Sequence, residues 1–224
     1  MCQSMISRLA TITLESIKNN ALLCLEADGD ITVDLRADAF GHGLVKIAYT
    51  LYSTGVRKCF VRKAHEKIFL EEIGFTVDVS DAPIKPFSHD IYGLGDNTEC
   101  KAALHLESCV VTCKKLPAGA GVSYCHTYRT QSEENVALIG IGYADGLPFQ
   151  AQGSVEIKKR KYPIIGRIAM DYMVAKVTPD SYKHGTRVTV WGESGAKTWG
   201  LSAGIDPLCL TAGLAYRVEK RWLT

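Results

Sequence analysis

The chain has 224 residues, and its 26 Lys and Arg against 24 Asp and Glu leave a formal net charge of +2. So even a balance gives no support for binding to nucleic acid or to an anionic membrane surface. No apolar run reaches the roughly 18 residues that span a bilayer. The length suffices for one large domain or two modest ones with a sizeable core.

The first segment, Met1 to Ala10, lacks a basic stretch followed by an apolar core, so it does not read as a signal peptide, and the chain is expected to be cytoplasmic. Leu14 to Leu25 is predicted as an amphipathic helix, with Leu14, Ile17, Ala21, Leu22 and Leu25 at helical spacing. Ile31 to Leu35 is a predicted strand. Leu44 to Leu51 is helical, and Lys58 to Val61 reads as a second strand. Ala64 to Ile73 is a helix that stops at Gly74, and Phe75 to Val79 forms a third strand. The stretch from Asp81 to Thr98, with Pro83, Pro86, Gly93 and Gly95, reads as a loop or linker. Strand–helix alternation of this kind points to a parallel α/β sheet or barrel.

The pattern changes near residue 98. Leu104 to Thr112, Val136 to Tyr143, Val155 to Ile157, Tyr162 to Ile165, Tyr172 to Val177 and Arg187 to Trp191 are short β-rich runs separated by turn residues. Such spacing indicates a small β-barrel or sandwich. A last helix is predicted over Thr198 to Ala203 and a terminal strand over Tyr216 to Trp222. The chain is therefore divided into an α/β region, residues 1–98, and an all-β region, residues 99–224. The eight cysteines include no Cys-x-x-Cys pair, and the six histidines show no paired ligand spacing. No metal site is expected, and the thiols are expected to be reduced. The even separation of Cys109 and Cys113 places both on one face of a strand.

The most telling segment is Asp34-Leu35-Arg36-Ala37-Asp38-Ala39-Phe40-Gly41-His42-Gly43, where a strand runs through a glycine-bracketed turn into a helix. That arrangement carries sites at the carboxyl ends of parallel strands. The segment resembles the cofactor-attachment motif of the alanine racemases, Lys-Ala-Asp/Asn-Ala-Tyr-Gly-His-Gly. Further on, Pro117-Ala118-Gly119-Ala120-Gly121-Val122-Ser123-Tyr124 resembles that family's Pro-Ala-Gly-x-x-Val-Ser-Tyr. Gly142-Tyr143-Ala144-Asp145-Gly146 matches Gly-Tyr-Ala-Asp-Gly, and Gly166-Arg167-Ile168-Ala169-Met170-Asp171 is similar to Gly-Arg-Val-x-Met-Asp. Val188 to Gly192 and Tyr216-Arg217-Val218 continue the order. Small single-domain pyridoxal-phosphate proteins of the same barrel class lack this β-domain and fit less well.

The resemblance implies a (β/α) TIM-type barrel followed by a β-domain, a homodimer, and interconversion of L-alanine and D-alanine on pyridoxal 5'-phosphate. Tyr124 falls on the family's proton-exchanging base. A phenol of ordinary pKa near 10 needs cationic neighbours to act near neutrality, and Arg129 and His126 are the nearest in sequence. Tyr143, Met170 and Asp171 fall where the family lines its substrate entrance. His42 lies in the attachment loop. Without the resemblance, Tyr124 reads as a packed strand-end tyrosine, Met170 as core, and Ala144-Asp145-Gly146 as an ordinary turn.

The departures are as informative. Arg36 stands where the family has its Schiff-base lysine, and arginine stays protonated and offers only donors. Phe40 replaces a tyrosine that helps hold the cofactor phosphate. Aligning the family's ending places Leu208 where another phosphate-binding tyrosine belongs. An eight-unit barrel takes roughly 250 residues, whereas residues 31–98 supply only two or three strand–helix units, so the middle of the barrel is missing. Cofactor binding is therefore in doubt. Two functions follow: a working racemase acting on alanine or a similar small amino acid, or a non-catalytic, degenerate relative whose β-domain serves as a dimerisation module. The chemistry at position 36 favours the second.

Overall fold

The structure, a computed structural model, describes residues 7–81, 83–84 and 87–224. Cys2, Pro86 and most of the amino-terminal segment considered above lie outside the described residues. The described chain divides into two compact units. One comprises residues 11–104, 193–195 and 222–224; the other comprises residues 7–10, 105–192 and 196–221. Among the described residues, no helix is long and apolar enough to cross a membrane.

Strand β1 (Leu9–Thr13), whose first two residues belong to the other unit, leads into helix α1 (Leu14–Asp28) of the first. The helix runs beyond the expected Leu25 until Gly29, at φ 75°, donates its N–H to the Leu25 carbonyl at 2.7 Å. Strands β2 (Thr32–Asp34), β3 (Lys58–Val61) and β4 (Thr76–Val79) form a parallel sheet in that order. Helix α2 (Leu44–Ser53) connects the first two strands and α3 (Ala64–Ile73) the next two. Ile31, Val33, Leu35, Cys59, Phe60 and Val61 are all buried, the near-continuous apolar run of a covered parallel sheet.

The stretch expected to be an irregular linker contains a short helix, α4 (Ser88–Ile91). Its place is fixed by a polar residue that an apolar periodicity passes over. Asn20, on α1 and 1% exposed, donates to the Ile91 carbonyl at 3.1 Å and the Lys101 carbonyl at 2.8 Å. It also accepts the Lys101 N–H at 2.9 Å. One amide thus satisfies three backbone groups that are otherwise without a ladder.

The second unit is built on β5 (Leu104–Leu116). A hairpin of β6 (Gly121–Val122) and β7 (Tyr128–Arg129) follows. Next come β8 (Glu134–Ile139), β9 (Ser154–Ile157), β10 (Arg160–Pro163), β11 (Met173–Lys176) and β12 (Arg187–Trp191). Helices α5 (Lys197–Ala203) and α6 (Pro207–Ala212) precede the last strand, β13 (Glu219–Leu223). The sheet is eight-stranded, in the order β10-β9-β12-β5-β1-β13, with β8 paired to β5 and β11 to β8.

Several expectations need correction here. A bulge between Val110 and Thr112 inserts an extra residue into β5. Cys113 pairs with Ala137 and Val110 with Ile139, so these share a face, and Cys109 lies on the other. The strand expected over Val136 to Tyr143 ends at Ile139, and Tyr143 begins a 3-10 turn, Tyr143–Asp145. Helix α6 was not expected, although Asp206 caps it by accepting the Leu208 N–H at 2.8 Å and Pro207 occupies its first turn. Tyr216, Arg217 and Val218 precede β13 rather than opening it.

Replacing Asn20 by Leu, of similar volume, strands two carbonyls and an N–H. The loss is expected to be about 2–4 kcal/mol, at roughly 1 kcal/mol or more per group. Urea denaturation of the two chains checks it.

Candidate functional site

At the carboxyl end of β2 the backbone turns sharply. Ala37, Asp38, Ala39 and Phe40 have φ of 52°, 58°, 53° and 48°, so these four residues form one turn of left-handed helix. Each such residue costs roughly 1–2 kcal/mol, so the turn must be held by its surroundings. Gly41 donates to the Ala37 carbonyl at 2.9 Å, and Gly43 to the Asp38 carbonyl at 2.9 Å. The Leu44 N–H, opening α2, reaches Asp38 Oδ1 at 2.8 Å. His42 is fully buried, with Nδ1 at 3.0 Å from the Ala39 and Phe40 carbonyls, and its ring lies 4.5 Å from that of Tyr92. Gly43, at φ 94°, leaves room for the Trp222 indole, which a Cβ would approach within 2.7 Å. The Trp222 indole N–H donates to the His42 carbonyl at 2.8 Å. Phe40 is buried edge-on to Tyr92.

Within this turn the Arg36 side chain folds back onto Asp34. Its Nε lies 2.9 and 3.1 Å from the two carboxylate oxygens and its Nη2 lies 2.5 Å from Oδ2. The hydrogen bonds to Asp34 hold the guanidinium pKa above its already high ordinary value. Asp34 is a residue beside this turn that motif reading missed. The only signal was an acid two residues before Arg36, on the same strand end.

In the other unit, Tyr124 sits in the loop between β6 and β7. Ser123, Cys125 and His126 have φ of 57°, 59° and 47°, so the phenol is presented by a strained turn. Tyr124 is 50% exposed and Tyr143 40% exposed. With Cys125 and Phe149 they line a cavity of about 580 Å³. Arg129 donates to the Gly119 carbonyl at 2.9 Å, and the His126 ring lies against Gly121. The guanidinium beside the cavity belongs instead to Arg167, 5.3 Å above the Phe149 ring and 3.5 Å from Cys125 Sγ.

Tyr143, Met170 and Asp171 come together. The Tyr143 and Ala144 N–H groups donate to the Ala169 and Met170 carbonyls at 3.0 Å each. Gly142 lets these segments approach, since a Cβ there would lie 2.2 Å from the Ala169 carbonyl oxygen. Asp145 is buried; it accepts the Gly142 N–H at 2.8 Å and lies 2.6 Å from Arg217 Nε and 3.0 Å from Arg8 Nε. Arg217 also pairs with Asp171, and the two carboxylates raise its pKa further. Leu208 is apart from this group, fully buried on α6.

The Tyr124 loop is anchored downstream by Tyr128, whose hydroxyl donates to buried Glu134 at 2.9 Å, while Lys176 Nζ lies 2.8 Å from the same carboxylate. Burial pushes the Glu134 pKa up, but hydrogen bonds from Lys176, Tyr128 and Gln131 outweigh it and hold the pKa below the usual value. A depressed folded-state pKa contributes stability above the unfolded value, near 4.3, that is lost as pH falls through the folded one. Stability is therefore expected to be lost as pH falls below the ordinary carboxylate value, and Glu134→Gln, less stable at neutrality, to show a flatter profile in acid thermal melts.

Comparison with known proteins gives these features a context. Residues 103–222 match the family described as "Alanine racemase, C-terminal domain". Alanine racemase of Streptococcus pneumoniae (strain Hungary19A-6) is 43% identical over 96 residues, which are 42% of this chain and 26% of the relative. The match thus spans about a quarter of the length of such curated relatives. Among solved structures, alanine racemase from Bartonella henselae with covalently bound pyridoxal phosphate aligns with a TM-score of 0.83 at 17% identity, covering 97% of this chain and 99% of that one. Alanine racemase from D-cycloserine-producing Streptomyces lavendulae aligns with a TM-score of 0.85 at 17% identity, covering 99% and 98%. The fold is that of these enzymes, and with more than half of its residues inside the family's C-terminal domain, the chain belongs to the alanine racemase family.

Proposed function

We propose that this chain is an alanine racemase relative that no longer interconverts L-alanine and D-alanine. The observation that carries the reading is Arg36, a guanidinium spent on Asp34 at the position of the family's attachment lysine. The family cofactor is pyridoxal 5'-phosphate, and the residues present here do not fit it. Arg36 offers no free amine. Phe40 has no hydroxyl for a phosphate and is packed on Tyr92. Leu208 is apolar and fully buried. We therefore route no chemical step through the cofactor. We read the three parallel strands and their helices as the remnant of a TIM-type barrel of two or three units, in a cytoplasmic protein with residues 1–98 and 99–224 as its domains.

What persists is the β-domain, which we infer to serve as a dimerisation module for a second copy. Tyr124, Tyr143, Met170 and Tyr216 are 50%, 40%, 49% and 99% exposed, more aromatic and apolar surface than a solvated turn requires. Tyr124 keeps the placement of an exchange base without a reaction to serve.

The test is to add pyridoxal phosphate to the purified chain, reduce with borohydride, map any modified lysine, and assay racemisation of L-alanine. No single lysine is expected to be modified stoichiometrically, and no turnover is expected, either in the wild type or in Arg36→Lys. Turnover in either protein would overturn the reading.

A further inference from the structure

The carboxyl end of β2 holds a buried anion whose counter-ion is supplied by the chain itself. The Asp34 side chain is 0% exposed and that of Arg36 17%. Besides the contacts from Nε and Nη2, the Arg36 backbone N–H donates to Asp34 Oδ1 at 3.1 Å. Nη1 lies 3.4 Å from the Ser80 carbonyl, just beyond β4, so one guanidinium spans the carboxyl ends of two strands. These ends are where open parallel sheets take their ligands. Nearby, Arg62 Nε lies 3.1 Å from Asp81 Oδ1. The Tyr92 hydroxyl donates to the Asp34 backbone carbonyl at 2.9 Å rather than to the carboxylate.

We propose that this strand end is a binding cradle for a guanidinium or primary ammonium group, formed by the Asp34 carboxylate and the Ser80 carbonyl, and kept filled by Arg36. The acceptors converge on a planar cation: two carboxylate oxygens meet one edge of the fork and a carbonyl meets another nitrogen. That is the bidentate geometry guanidinium ions fit best. An anion is excluded by the same buried charge. Because Arg36 is tethered two residues from Asp34, its effective concentration exceeds that of any free cation. An external ligand of this class enters only when Arg36 is removed or drawn away. The proposal concerns a cation and does not depend on the loss of cofactor chemistry.

The test uses the full chain carrying Arg36→Ala, melted separately in guanidinium chloride, methylammonium chloride and sodium chloride, at equal low-millimolar concentrations. A ligand that binds only the folded state raises the melting temperature in a saturable manner. Guanidinium is expected to restore at least half of the melting temperature lost by Arg36→Ala, methylammonium less, and sodium none. The wild type is expected to respond alike to all three salts. The double variant Asp34→Asn/Arg36→Ala is expected to lose the guanidinium response. If Arg36→Ala does not fold alone, its refolding yield in guanidinium against sodium is the readout. Arg36→Lys, which keeps a tethered cation, is the second variant and is expected to fold without responding to guanidinium. Equal effects of the salts on Arg36→Ala, a response that survives Asp34→Asn, or a gain in Arg36→Lys as large as that in Arg36→Ala would each overturn the proposal.

Discussion

A carboxylate shut away from water costs several kcal/mol unless a cation and further donors meet it, and each unit of this protein is arranged around one. Asp34 is met by the Arg36 guanidinium and the Arg36 N–H. Asp145 is met by Arg217, by Arg8 and by the Gly142 N–H. In both cases the loop that carries the candidate residues takes its shape from satisfying that charge. Arg36 can return over Asp34 because the chain turns at once into a left-handed coil. Tyr143 is held out toward its cavity because Asp145, two residues on, is pinned beneath the turn. The strain at Ala37–Phe40 is thus offset by the ion pair and by the backbone bonds into Gly41 and Gly43.

How much of this was legible follows from which physics speaks locally. Helix α3 was read with its observed ends because Ala64 to Ile73 is bounded by Gly74, at φ 113°. Strands β3 and β12 were read likewise, from short β-prone runs between turns. What escaped depends on partners distant in sequence or on backbone conformations without a residue signature. The bulge in β5 that separates Cys109 from Cys113 is a matter of pairing with β8. Helix α4 is held by Asn20, seventy-one residues upstream of Ile91. Four consecutive non-glycine residues at positive φ have no compositional mark at all. Helix α6 is the exception, since Asp206-Pro207 is a legible start signal that competed with a reading of loop.

The candidate residues divide in the same way. Tyr143 was named from one motif and Met170 and Asp171 from another; the structure joins the two segments through backbone hydrogen bonds, and Asp171 to Asp145 through Arg217. The cation expected near Tyr124 was sought by sequence distance, at His126 and Arg129. The side chain beside that cavity is Arg167, forty-two residues after Cys125. Proximity along the chain is a poor guide where segments distant in sequence meet, as β12 does with β5. Asp34 and Glu134 were passed over for a related reason: a single acid carries no pattern, and only burial reveals that it must have a partner.

The arginine at position 36 then has a physical logic under the proposed reading. A lysine whose amine is taken up in covalent attachment is not available to neutralise a neighbouring carboxylate. With Asp34 buried, a neutral residue at position 36 would leave its charge without this partner. Arginine meets it better than lysine, since a rigid fork addresses two oxygens at once while a single ammonium addresses them as a point charge. The pairing holds the guanidinium pKa above its ordinary value, and a guanidinium offers no free amine in any case. Fold and chemistry are separated at one residue: the charge balance that the sheet requires is kept, and the amine that a reaction requires is gone.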